Sequence, residues 1–274
     1  MMKAYSISLE NIKVLSDGWV FERKYDGVRQ LWVSGKLFSE FGVDNTSKFN
    51  HIKEELEGVD AVLDGEICLE NGSSIDIKER KNWNKVSYVV FDLLKLGKVD
   101  LTRLPLIERR KILFKLFDEK LKNKKFIKLS VGFFNFDEAW KQVLKNNWEG
   151  LIAKNLYSPY EGSLDDLFKI NRSWNWLKIK NWKEAREEII GFEKSGSNTV
   201  FSKGSFILKN NTKVSALSKA VVKEYESLKQ FGKVYAEIYY LKKTKDGKYF
   251  HPKLKRLCLE NNELEEGDKI ISKR

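Results

Sequence analysis

Apolar and polar positions along the chain alternate in short blocks. Residues 18–41, GWVFERKYDGVRQLWVSGKLFSEF, hold three short apolar runs separated by YDG and VSGK, which predicts three strands joined by turns. AVLDGEICLE (61–70) reads as a strand ending at Asn71-Gly72, and SYVVFDLL (87–94) as a buried, β-branched strand. After Pro105 the pattern changes period. LIERRKILFKLFDEKLK (106–122) carries Leu106, Ile112, Leu113, Leu116 and Phe117 at helical spacing, with proline at its start. FDEAWKQVLKNN (136–147) is a second amphipathic helix, and GLIAKN (150–155) and WLKIKNW (176–182) return to strands.

KEAREE (183–188) interrupts the apolar pattern, so a domain boundary is expected there, with domains over 1–185 and 186–274. Beyond it come EIIGFEK, GSFILKN, a helix near 218–231, and a hairpin over 233–260 that turns at Asp246-Gly247. Mostly strands plus one helix in so short a segment fits a small barrel of the oligonucleotide-binding (OB) type. The whole reads as an α+β chain.

Composition narrows the partners. The 274 residues include 51 Lys+Arg against 39 Asp+Glu, a net charge of +12, which favours a polyanion such as nucleic acid. A solvated lysine-rich surface of the thermophile kind would give the same balance. Two cysteines without C-x-x-C spacing argue against a disulfide framework or zinc site, and two histidines against histidine chemistry. No run approaches 18 apolar residues, and MMKAYSISLENIK lacks an apolar signal core. A soluble, cytoplasmic protein with no membrane partner is expected. Three prolines, no low-complexity tract and no internal repeat exclude long linkers and solenoids.

The candidate chemistry starts at Lys24-Tyr25-Asp26-Gly27-Val28-Arg29. Alone, K-x-D-G-x-R also describes a charged hairpin turn with Gly27 at positive φ. Other segments join it in order: Phe38-Ser39-Glu40-Phe41-Gly42, Asp64-Gly65-Glu66, Phe91-Asp92-Leu93-Leu94 with Pro105-Leu106-Ile107-Glu108-Arg109-Arg110, Glu149-Gly150-Leu151-Ile152-Ala153-Lys154, Trp176-Leu177-Lys178-Ile179-Lys180 preceded by Arg172, and His251-Pro252-Lys253-Leu254-Lys255-Arg256-Leu257. From about residue 18 to 260 this series resembles the ordered motifs of ATP-dependent DNA ligases, members of the covalent nucleotidyltransferases.

The resemblance implies a nucleotidyltransferase (adenylation) domain of antiparallel sheets with flanking helices, followed by an OB-fold β-barrel. It implies a monomer that seals nicked duplex DNA with ATP and Mg²⁺ or Mn²⁺, in DNA replication, repair and recombination. Lys24 would attack the α-phosphate of ATP. A free lysine amine, with a pKa of about 10.4, is almost wholly protonated at pH 7, so neighbouring cations or a metal must activate it. Arg29, Lys178 and Lys180 are candidate cations, and Lys178 and Lys180, at i and i+2 of a strand, share a face. By resemblance Glu22 reads the adenine amino group, Phe91 stacks on the purine, and Arg29 and Glu66 hold the ribose. Lys154, Arg172 and Arg256 also bind the nucleotide. Glu149, Asp26 and Glu66 are the metal candidates, with Asp26 also near the nick 3′-hydroxyl.

The sequence departs from the family pattern at three places. Glu40 stands where an arginine is usual, and Phe250 and Cys258 stand where basic residues are frequent, leaving Arg256 with Lys253 or Lys255 to orient pyrophosphate. The chain begins about twenty residues before Lys24, so the N-terminal DNA-binding domain of large ligases is expected to be absent. The connection between EIIGFEKSG and GSFILKN is too short for a DNA-encircling hairpin. Other readings are an RNA ligase, an mRNA-capping guanylyltransferase, or a nucleic-acid-binding homologue weak in catalysis.

Overall fold

The computed structural model describes residues 1–15, 17–195 and 203–260. The chain divides into two compact units, 1–180 and 181–274. The connection between EIIGFEKSG and GSFILKN lies largely outside the described residues.

The first unit is built on two sheets. Its strands are β1 (Met2–Ser6), β2 (Trp19–Arg23), β3 (Val28–Val33), β4 (Lys36–Ser39), β5 (Ala61–Cys68), β6 (Ser87–Leu96), β7 (Val99–Asp100), β8 (Ile127–Leu129), β9 (Gly132–Phe133), β10 (Gly150–Asn155) and β11 (Asn171–Lys180). One sheet runs β1-β11-β10-β2-β9 and the other β4-β3-β5-β6-β7, with β8 alongside β6. Pairing is antiparallel except for β1 with β11 and β8 with β6. Three α-helices flank them: α1 (Asn50–Glu55), α2 (Leu106–Leu116) and α3 (Phe136–Asn146).

Period-two alternation assigns the faces of the first sheet. Leu151 and Ala153 of β10, and Leu177 and Ile179 of β11, pack with Ala139 and Val143 of α3. Their neighbours Ile152, Lys154, Trp176 and Lys178 face a cavity on the other side. The start of α3 is capped by Asn135, whose side chain accepts from the Glu138 amide at 3.0 Å, a contact typically worth about 1 kcal/mol.

The helix after Pro105 is α2, continued by a π-helical turn over Phe117–Leu121. Its buried positions are Leu106, Arg109, Arg110, Leu113 and Leu116. Two arginines therefore occupy the inward face, and the apolar spacing alone understated it. The N-terminal strand β1 was not expected. It pairs with residues 171–178, and β11 itself begins at Asn171 rather than near Trp176.

Gly27 corrects the turn expectation. It is not among the residues at positive φ. Instead a Cβ there would lie 2.2 Å from the Ile67 carbonyl oxygen, so glycine is required by close approach of backbone. At Gly150, φ is +149° and a Cβ would meet the Ile179 oxygen at 1.9 Å.

The second unit holds β12 (Lys183–Lys194), β13 (Gly204–Leu208), β14 (Lys213–Ala216), α4 (Lys219–Leu228), β15 (Val234–Tyr240), β16 (Lys242–Lys243), β17 (Tyr249–Phe250) and β18 (Lys253–Leu259). The expected boundary at 185/186 falls inside β12, because Lys183–Glu188 pair with β15; the polar residues there form one end of a long strand. Ile189–Lys194 pair with β13, so β12 serves two pairings and curls the sheet β14-β13-β12-β15-β18. Phe206, Leu208, Val214, Ala236, Ile238 and Tyr225 of α4 fill its core. Five curled strands with a helix between the third and fourth are the OB-type barrel. The hairpin turn lies at Gly247, with φ +77°.

Among the described residues, no helix is long and apolar enough to cross a membrane.

Candidate active site

A cavity of about 440 Å³ opens between the two sheets of the first unit. Its walls include Lys3 from β1, Glu22 from β2, Lys24, Arg29 from β3, Glu66 from β5, Phe91 from β6, Lys154 from β10, and Arg172, Trp176 and Lys178 from β11. Strands far apart in sequence thus converge on one space.

Lys24 follows the end of β2, where its amide donates to the Gly150 carbonyl at 2.9 Å. Its ammonium donates to Glu149 Oε2 at 2.6 Å, and Lys180 Nζ lies 3.5 Å from Glu149 Oε1. One carboxylate therefore lies between two expected cations. Lys178, on the same strand face as Lys180, has its pKa lowered by burial and by Arg172, Lys180, Lys24 and Lys3.

Arg29 is fixed from behind. It donates to Asp64 through Nε at 2.9 Å and Nη2 at 2.5 Å, and through Nη1 to the Met2 carbonyl at 2.6 Å. Burial alone would lower its pKa; Asp64 outweighs that and raises it. Tyr160 donates a further bond to Asp64 at 2.9 Å. Glu66 is the cross-strand partner of Arg29, and burial pushes its carboxyl up to about 7 despite Lys24 and Arg29.

Glu22 is 2% exposed and ties the site together. Its Oε1 accepts from Arg110, and its Oε2 from Ser130 and Lys154, each at 2.9 Å. Burial lowers the Lys154 pKa, opposed by Glu22. The Lys154 ammonium lies 4.4 Å from the ring centroids of both Phe91 and Trp176. Phe91 and Trp176 meet edge to face at 5.9 Å. The indole N–H of Trp176 is buried and finds no hydrogen-bond partner among the described residues. Trp176 lines the cavity, and a buried donor without an acceptor is a state that a bound ligand would relieve.

The expected residues separate into groups. Glu22, Lys24, Arg29, Glu66, Phe91, Lys154, Arg172 and Lys178 line the cavity. Lys180 and Glu149 meet Lys24 beside it. Asp26 does not line it; its Oδ1 accepts from the Ser74 amide at 3.2 Å. Arg256, in the second unit, forms a two-pronged pair with Glu237 at 2.8 and 3.0 Å. Among the described residues no group of three His, Cys, Asp or Glu side chains converges as a metal cage, so Asp26, Glu66 and Glu149 do not form one. The donor set suits an ion of the Mg²⁺ kind, which binds through one or two carboxylates plus substrate phosphates and keeps several waters.

Sequence reasoning missed the support. Arg110 and Ser130 at Glu22, Asp64 and Tyr160 behind Arg29, and Lys3 and Trp176 on the wall had no assigned role. The available signal was helical spacing: Arg109 and Arg110 fall on the same face of α2 as Leu106 and Leu113. Arg109 indeed pairs with Asp92, both fully buried, at 2.8 Å through each of two nitrogens. Lys3 pairs with Glu40 at 2.7 Å, so the acid at the departing position has a cation of its own.

The profile of the ATP dependent DNA ligase domain family matches residues 1–180. The bifunctional non-homologous end joining protein LigD of Bacillus subtilis is 30% identical over 249 residues, covering 76% of this chain and 38% of that protein. A DNA ligase of Thermoplasma volcanium is 27% identical over 204 residues, covering 65% of this chain and 34% of that protein. The chain thus spans between a third and two fifths of the length of these relatives. Among solved structures, a minimal-scaffold Lig E DNA ligase superposes with a TM-score of 0.67 at 15% identity, covering 94% of this chain and all of that one. The ligase domain of Mycobacterium tuberculosis LigD gives 0.60 at 23% identity, covering 94% of each. At these identities the superpositions speak for the fold: an adenylation domain followed by an OB domain.

Proposed function

The chain belongs to the ATP-dependent DNA ligase family, and we propose that it seals nicks in duplex DNA through a covalent lysyl-AMP intermediate. The observation that carries this reading is the Lys24 amine, held by Glu149 at the edge of a cationic cavity between the two sheets of the first unit.

ATP is the first substrate. Phe91 and Trp176 offer ring faces and edges to the purine. Glu22 has about four lone-pair sites and uses three, so one is left for the adenine amino group. Arg29 and Glu66, adjacent across β3 and β5, hold the ribose. Lys154 holds Glu22 at the purine end, and Arg172 and Lys178 on the cavity wall face phosphate oxygens.

The Lys24 ammonium first loses a proton to solvent; the freed nitrogen lone pair attacks the α-phosphorus, the N–P bond forms, the bond from that phosphorus to the bridging oxygen breaks, and pyrophosphate leaves. Lys178 and Lys180 stabilise the charge gathered on phosphorus-bound oxygens. A divalent ion held by Glu149 would neutralise phosphate charge when bound. Claiming Glu149 in this way takes its carboxylate from the Lys24 amine. Arg256 orients the leaving pyrophosphate. A 5′-phosphate oxygen of DNA then displaces Lys24 from the AMP phosphorus. Finally the 3′-hydroxyl attacks the 5′-phosphorus, AMP leaves, and the strand is joined. We propose that the protein acts as a monomer, with residues 1–180 supplying the nucleotide chemistry and the OB unit supplying Arg256 and DNA contacts.

The deciding experiment is incubation with α-labelled ATP and Mg²⁺ or Mn²⁺, followed by denaturation. Label should stay on the protein and pass to a singly nicked duplex as it is sealed. Labelling by GTP rather than ATP would indicate a capping-type enzyme, and preference for a nicked RNA an RNA ligase. Binding of nucleic acid without any label would leave a non-catalytic homologue.

A further inference from the structure

The pairing of β1 with β11 is irregular. Ala4 sits opposite Ser173, but the next residue, Tyr5, sits opposite Leu177, so Trp174, Asn175 and Trp176 form an extra loop of strand. Bulges of this kind re-aim side chains next to binding sites. Here the two tryptophans go opposite ways. Trp176 is buried against Phe91 in the cavity wall, whereas Trp174 is 68% exposed. Trp174 lies on the ring of Tyr5, with centroids 4.3 Å apart and planes 14° from parallel. Tyr5 is itself packed on the core beneath α3, so the pair is a rigid ring shelf with one open face.

Arg172 and Lys3 stand two residues before Trp174 and Tyr5 on the same two paired strands. Lys3 and Arg172 are register partners across β1 and β11, and both line the cavity, as does Lys178. Glu40 is the acid among them and is matched by Lys3. Cations that track a phosphate backbone next to an exposed ring are the components of single-strand recognition, in which each base lays its face on an aromatic side chain. A base inside a duplex has both faces covered by its neighbours, whereas an unpaired base has a face free for the shelf.

We propose that Trp174, supported by Tyr5, is a stacking platform for an unpaired nucleobase of single-stranded DNA, whose phosphates are led past Arg172 and Lys3. This rests on the ligase reading for its partner. It adds that the protein holds a frayed, gapped or overhanging strand beside the nucleotide site.

The test is anisotropy binding of the full chain to a fluorescent oligothymidylate of roughly twelve nucleotides and to the same backbone with abasic sites. Wild type should prefer the base-bearing strand by about tenfold. Trp174→Ala should erase that preference and bind the abasic strand as wild type does. Trp174→Phe should keep most of it. A preference that persists in Trp174→Ala, no preference in wild type, or equal loss on both strands would overturn the proposal; equal loss would point instead to a protein or backbone contact. Self-adenylation is followed in the same samples. Wild type that takes no label fails the ligase reading alone, and labelled wild type without a base preference fails this inference alone.

Discussion

Lys24 and Glu149 are 125 positions apart in the chain, and their side chains meet at 2.6 Å. The contact is set by backbone, since the Lys24 amide also bonds to Gly150 and a glycine is needed there for β10 to approach Ile179. Lys24→Ala should abolish covalent labelling by ATP while leaving the fold intact. The same variant should still join a pre-adenylated nick, because Lys24 is not the attacking group in that step. Label remaining on Lys24→Ala after denaturation would assign the nucleophile elsewhere.

Lys178 and Lys180 occupy one face of β11, with Lys180 reaching Glu149. Lys178→Ala or Lys180→Ala should lower the single-turnover rate of adenylation about 10²–10³-fold, as when a fixed donor to a developing oxyanion is lost. ATP affinity should fall much less. Unchanged single-turnover rates in both variants would make them surface charges.

Several parts of this arrangement were legible in the chain. The period-two pattern of Trp176-Leu177-Lys178-Ile179-Lys180 put both lysines on one face, and the face turned out to be the cavity side. The family resemblance gave roles to eight of the residues that line that cavity. The supports were not legible, for physical reasons. Strand β1 has no alternation in Met2-Lys3-Ala4-Tyr5-Ser6 and is made a strand by a partner some 170 residues away. Arg109 and Arg110 look like solvated charges until Asp92 and Glu22, on other strands, are seen to need them. The polar run at 183–188 looked like a linker, because strand pairing with β15 makes no demand on side-chain polarity.

The Arg109–Asp92 pair is wholly buried. Arg109→Ala would leave the Asp92 charge without its partner and should cost about 3–5 kcal/mol in chemical denaturation. Replacing both residues by apolar side chains of similar volume should recover most of that loss. A double variant no more stable than Arg109→Ala would show that the arginine matters chiefly for its bonds to Leu104 and Ser158.

Glu66 sets a pH dependence. Its carboxyl rises from about 4.5 to about 7 on folding, through burial. A raised carboxyl holds its proton more tightly in the folded state. Its stabilising contribution is therefore complete below about 4.5 and is lost as pH rises through 7. Glu66→Gln, neutral at every pH, should be more stable than wild type at pH 8 by roughly 1–3 kcal/mol, with the difference gone near pH 4. Denaturation midpoints that differ equally at both pH values would trace the effect to packing instead.

Salt separates the two binding events assigned to this chain. With 51 Lys+Arg against 39 Asp+Glu, binding of a nicked duplex should release counterions, each phosphate contact adding about −0.9 to the slope of log affinity against log salt. For on the order of 6–10 contacts, raising salt from 50 to 200 mM should weaken binding roughly 10³–10⁵-fold. Trp174→Ala should lower affinity for a gapped strand without changing that slope, because a base lying on a ring displaces no ions. Arg172→Ala should also weaken binding, but with the slope reduced by about one. The measurement is equilibrium binding at several salt concentrations for the three proteins. A slope that moves with Trp174 and not with Arg172 would assign the phosphate track to other cations and remove the division of labour between ring and guanidinium.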